Sequence, residues 1–198
     1  PREERKDFQT LALLDALDTT KGRARGVVSL SGGESDAELA GMTARGVRGV
    51  RFNFVRRLVG ERAPEDYLPL IARIAPFGWH VVVYFEAADL ARLTPFLAGL
   101  PVPVVVDHMG RPDVANGVDH PDFRAFLHLM TDHPHIWCKV TCPERLTRSG
   151  PPYDDVVPFA RAVVERFPDR VLWGTDWPHP NMKSHMPDDG ALVDYIPK

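Results

Sequence analysis

Residues 171–181 read Val-Leu-Trp-Gly-Thr-Asp-Trp-Pro-His-Pro-Asn, and the fold follows from how that stretch is read. Three apolar residues end at Gly174, and polar or rigid residues follow. A buried strand has this form where it surfaces: Val171–Trp173 in the core, Gly174 letting the backbone turn, and Asp176 delivered at the strand's C-terminal end. Pro178 and Pro180 remove two amide donors and stiffen the exit, which favours a fixed loop over a helix. A lone Thr-Asp after a strand is more often a turn than a site, so the weight falls on what precedes it.

Moving upstream, the same form recurs. Ile136–Val140 leaves through Thr141 toward Arg145. Val102–Val106 runs into Asp107-His-Met-Gly-Arg-Pro112. His80–Phe85 ends in Tyr84 and Glu86, Val47–Phe54 carries Arg48 and Arg51 among its valines, and Gly26–Leu30 is short. Between these runs the spacing turns helical. Phe8, Leu11 and Leu14 share one side of Asp7–Leu17, and Ser35-Asp-Ala-Glu38 is a capping box for a helix that Gly46 closes. Tyr67, Leu70, Ile71 and Ile74 repeat at i, i+3, i+4, i+7, and Leu90, Leu93, Leu97 and Leu100 line the next helix. Pro121 suits a first helical position ahead of Phe123, Phe126, Leu127 and Met130. Val156, Ala160, Val163, Val164 and Phe167 form the last face. Six near-continuous apolar strands, each separated by a helix, predict an α/β fold with a parallel sheet covered by helices.

A barrel and an open sheet differ in where the chemistry sits. Arg51, Tyr84, His108, Thr141 and Asp176 all fall at C-terminal strand ends, as in a (β/α)8 TIM barrel. No glycine-rich phosphate loop follows any strand, which counts against a nucleotide-binding open sheet. A full barrel has eight units in roughly 250 residues. Residues 1–198 are therefore expected to be a single barrel domain that is incomplete, short of two units at its beginning and of a closing helix at its end.

Bulk properties narrow the partners. A net charge of -3 argues against a nucleic-acid or membrane-surface protein. Apolar runs of about five residues are far from a membrane span. No stretch reads as a signal peptide, and the two cysteines, Cys138 and Cys142, make no disulfide framework, so a reducing cytoplasm is the expected setting. Their spacing could suggest a metal pair, but a strand-to-loop setting makes packing the commoner explanation. The sequence leaves the oligomeric state open.

Three segments together resemble one family. Gly49-Val-Arg-Phe-Asn53, Val106-Asp-His-Met-Gly-Arg-Pro112 and Trp173-Gly-Thr-Asp-Trp-Pro-His-Pro180 are similar to the amidohydrolase superfamily, and most to its 2-pyrone-4,6-dicarboxylate lactonase branch. The similarity runs from about Leu11 to Asp194. It implies a distorted (β/α)8 barrel that hydrolyses a small carboxylated lactone from aromatic catabolism. The family's first strand carries a His-x-His pair with no counterpart here, since His133-Pro-His135 precedes a strand. Carried over residue by residue, Arg51, Arg57 and Arg145 match dicarboxylate-binding arginines, Tyr84 matches a substrate-contacting tyrosine less closely, and Arg111 is a further candidate.

The chemistry can be argued without the resemblance. Lactone hydrolysis needs a base for water, a group that polarises the carbonyl, and cations for the substrate's carboxylates. Asp176 suits the base and His108 the polarising group. Arg51, Arg57, Arg111 and Arg145 suit the anion, because guanidinium forks hold carboxylates bidentately. Arg56 and Arg148 read as solvated loop residues. His108 and Asp176 alone are too few for a zinc site, which needs three protein ligands, and the pyrone lactonase branch is understood to work without a divalent metal. The expectation is therefore no cofactor and no metal. The alternatives are a zinc-dependent decarboxylase or amide hydrolase of the same superfamily, and an inactive barrel fragment.

Overall fold

The computed structural model describes residues 2–59, 63–180, 182 and 186–196, with backbone alone for residues 2–7 and 59. Asn181, the last residue of the stretch quoted above, lies outside them. The fold is α/β, and the chain divides into two compact units, Pro1–Tyr84 with Pro95–Val105, and Phe85–Thr94 with Val106–Lys198.

In the first unit, α1 (Arg2–Thr19), α2 (Asp36–Arg45), α3 (Arg56–Val59) and α4 (Leu68–Ile74) alternate with β1 (Gly26–Val28), β2 (Val47–Asn53) and β3 (His80–Tyr84). β2 lies parallel to both β1 and β3, with Val50 opposite Val28 and Val81. Val47, Val50 and Val81–Val83 are fully buried, as a strand covered on both faces requires. The capping box forms as expected: Ser35 accepts from the Glu38 amide, and Gly46 closes α2 with a left-handed φ of 110°.

Two expectations in this unit need correction. β1 ends at Val28 rather than Leu30, because Ser31 and Gly32 turn their amides onto the Glu34 carboxylate, at 2.7 and 2.9 Å. On α1, Leu14 and Leu17 are buried, whereas Phe8 and Leu11 are 72% and 65% exposed. The second half of that helix packs closely on β1: a Cβ on Gly26 would fall 2.9 Å from Leu17 and 3.1 Å from Leu13.

The chain passes between the units within α5 (Leu90–Ala98) and again within β4 (Val104–Val106). β4 starts two residues later than expected. Proline cannot donate to a ladder, and Pro103 instead accepts from the Val81 amide at 2.9 Å. The second unit then contains α6 (Pro121–Asp132), β5 (Ile136–Thr141), α7 (Pro143–Leu146), α8 (Val157–Arg166), β6 (Val171–Gly174) and α9 (Asp189–Asp194). β5 and β6 pair in parallel, with Val140 opposite Trp173. Phe123, Phe126, Met130, Ile136 and Phe159 form its core, and Phe123 meets Phe159 edge-on at 4.8 Å.

β6 is the clearest correction in this unit. Val171–Trp173 were expected to be buried, yet Leu172 and Trp173 are 43% and 42% exposed. Its start is held from one side, where Arg170 donates to the carbonyls of Met130, His133 and Ile136.

Candidate active site

Three strands lead, within the second unit, into the same backbone conformation. His108 two residues after β4, Cys142 one after β5, and Asp176 two after β6 have φ of 53°, 61° and 62°. That left-handed region is uncommon for residues other than glycine and concentrates at functional sites. Its effect here is to swing each side chain out of its strand's alternation. One ligand atom from each, a ring nitrogen, Sγ and a carboxylate oxygen, then lie within 4.8 Å of one another.

His108 is almost fully buried and its ring is fixed: Nδ1 meets Thr141 Oγ1 at 2.7 Å, and Nε2 lies 3.7 Å from Cys142 Sγ. The backbone beneath it stays left-handed from His108 through Met109 and Gly110 to Arg111, and the Arg111 amide donates to the His108 carbonyl at 2.9 Å. Glycine suits position 110, since its φ is 67° and a Cβ would fall a tight 3.3 Å from the Phe126 ring. Just before, Asp107 is buried and paired with Lys139 of β5 at 2.9 Å.

Asp176 is half-buried and faces α7. Arg145 Nε donates to its Oδ2 at 3.2 Å, Nη2 lies 3.0 Å from the same oxygen, and Nη2 also donates to the Pro180 carbonyl at 2.6 Å. Arg145 also lines a cavity of about 510 Å³ within this unit, with Arg111, His120 and Arg148 and the acids Glu86, Asp113 and Asp122. Arg148 forks onto Asp113 at 2.9 and 3.0 Å and is exposed, as expected of a loop residue.

The other expected binding residues belong to the first unit. Arg51 sits in β2 with its guanidinium 4.8 Å from the centre of the Tyr84 ring, a cation–π contact that accommodates a strand charge. Arg57 is exposed on α3. Arg48, by contrast, donates to the Thr43 and Val47 carbonyls and serves the fold.

Sequence reasoning passed over Cys142, Glu144 and His179. Cys142 was weighed as packing, yet it sits between His108 and Asp176. Burial first, then the neighbouring acidic groups, push its thiol well above the ordinary range. Glu144 and His179 are buried with Nδ1 3.8 Å from Oε1. Burial also raises the Glu144 pKa. The usable signal for His179 was its place three residues past Asp176 in a proline-stiffened loop.

The trio His108, Cys142 and Asp176 offers donor types that zinc accepts. Its charge environment fits a cation poorly. Asp176 Oδ2 is already engaged by the Arg145 guanidinium, which puts a positive charge beside the same carboxylate.

Comparison with known proteins places the chain. Residues 3–197 match the amidohydrolase family. The chain belongs to that family. It is 57% identical over 194 residues to a 2-pyrone-4,6-dicarboxylate hydrolase of Comamonas testosteroni, covering 94% of this chain and 64% of the relative. It is 36% identical to a 4-sulfomuconolactone hydrolase of Hydrogenophaga intermedia, over 92% of this chain and 61% of that one. Among solved structures, one named as a 2-pyrone-4,6-dicarboxylic acid hydrolase from Pseudomonas putida superposes with a TM-score of 0.79 at 33% identity, over 95% of this chain and 69% of that chain. The chain thus spans 64% and 61% of the length of the two curated relatives.

Proposed function

We propose that this chain belongs to a lactone hydrolase that opens a small carboxylated ring of the 2-pyrone-4,6-dicarboxylate class, in the breakdown of aromatic compounds. The observation that carries the proposal is the convergence of His108 and Asp176 beside Arg145, which also lines a cavity together with Arg111. Asp176 accepts a proton from water as its oxygen attacks the lactone carbonyl carbon. His108, locked by Thr141, polarises the carbonyl oxygen. The ring C–O bond then breaks, the ring oxygen leaves with a proton, and an additional carboxylate is released. Arg111 and Arg145 supply guanidinium groups for substrate carboxylates. Arg51, Arg57 and Tyr84 are assigned the same class of role on the family pattern. No step requires a metal.

The test follows ring opening of 2-pyrone-4,6-dicarboxylate by the loss of its ring absorbance, with and without a chelator. Saturable hydrolysis that survives the chelator is expected, and Arg51→Met or Arg57→Met should raise KM by about 10- to 150-fold, the worth of roughly 1.5–3 kcal/mol for a charge-assisted contact. Turnover abolished by the chelator would favour the zinc-dependent reading that the His108–Cys142–Asp176 trio leaves available. Failure to open any carboxylated or sulfonated lactone would end the proposal.

A further inference from the structure

Among the described residues, both carboxyl oxygens of Glu144 and Nδ1 of His179 are buried without a hydrogen-bond partner. Their side chains are 0% and 3% exposed, and they face each other across 3.8 Å, with Arg145 Nε at the same distance from Glu144 Oε1. Leaving such groups unpaired in a protein interior is costly, and a contact between them removes the cost for both residues.

On the other side of the ring, His179 Nε2 lies 3.2 Å from Asp189 Oδ1, an acceptor, so a ring carrying one proton holds it on Nε2 and leaves Nδ1 to accept. A protonated Glu144 is the group placed to supply that donor. Its surroundings agree: burial raises its pKa most and Asp176 adds to this, which together outweigh the lowering by its own backbone amide, Arg145 and His179. The Cys142 thiol and the Tyr153 phenol, both raised in their turn, complete the ring of titratable groups around it.

The pair sits where it matters for Asp176. Glu144 lies in α7 between Cys142 and Arg145. The His179 amide donates to the Asp176 carbonyl at 2.8 Å. The loop carrying Asp176 therefore meets α7 at two points, through Arg145 on its carboxylate and through Glu144 opposite His179. We propose that Glu144 and His179 form a buried carboxyl–imidazole contact that holds the Asp176 loop, both acting as positioning residues through Asp176 and Arg145 rather than on the substrate. The kinetic part rests on the lactone hydrolase reading; the contact itself does not.

The test combines ¹⁵N NMR of the His179 ring with steady-state kinetics on the intact chain. The unmodified protein should show the Nε2-protonated tautomer. Glu144→Gln restores a donor to Nδ1 and should keep that tautomer and most of the turnover. Glu144→Leu should lose the hydrogen-bonded Nδ1 signature and lower kcat by about 10- to 100-fold, with KM changed less than about threefold, as displacement of a reacting group does. If Glu144→Leu does not fold, His179→Gln reads the same kcat-against-KM split. Wild-type kcat and an unchanged ring spectrum in Glu144→Leu would overturn the proposal, as would a Gln variant as impaired as Leu. If the unmodified chain opened no lactone, the ring spectra would still decide the contact, while the functional reading alone would fall.

Discussion

At the end of β4 the whole turn from Asp107 to Gly110 is buried, whereas at the end of β6 Asp176 is half-exposed and Trp177 beside it is 74% exposed. Both turns are left-handed, and both present a residue to the same small cluster. They are held by different means. His108 is fixed from beneath by packing, with Phe126 against Gly110 and Thr141 on the ring. Asp176 has little apolar cover and is fixed by side chains from α7. A packed turn should fail by unfolding, and a tethered one by misplacing its residue while the fold persists.

The largest effect should come from breaking the packed turn. Gly110→Val puts a β-branched residue at a φ of 67° and a methyl against Phe126. Chemical denaturation should show a loss of about 2–4 kcal/mol, the sum of left-handed strain and overpacking. An unchanged midpoint would mean that this turn is as loosely held as the one at β6. Next in size is Thr141→Val, which removes the partner of a buried ring nitrogen and should cost roughly 1–2 kcal/mol in the same measurement.

The smallest effect sharpens the other side. Because Glu144's pKa is raised in the folded chain, the folded state holds this proton more tightly than the unfolded one. Its contribution to stability is fully present below the ordinary value of 4.5 and is lost as pH rises from there through the raised value. Glu144→Gln removes that titration, so its stability should fall less steeply than the parent's over the same window. Parallel stability–pH curves would contradict the buried, protonated state of Glu144.

The same contrast explains what the sequence could and could not reveal. The α/β alternation, the capping box at Ser35 and the buried valines of β2 and β3 were legible because period and capping are local properties. The exposure of β6 was not. Val-Leu-Trp has the same composition whether or not anything covers it, so a run of three cannot report its neighbours. His108 and Asp176 stood out because polar residues interrupt apolar runs at strand ends. Cys142, Glu144 and His179 did not, because their proximity depends on three left-handed turns that no motif announces. Residues at positive φ without glycine's freedom are visible only once the backbone is known.

The central claim is that Asp176 is the base of a hydrolytic site, and Asp176→Asn in the intact chain tests it most directly. Asparagine keeps the shape and removes the proton acceptor. With ring opening of 2-pyrone-4,6-dicarboxylate as the readout, the account predicts that kcat falls by roughly 100-fold or more while substrate is still bound. Normal turnover by Asp176→Asn would contradict it.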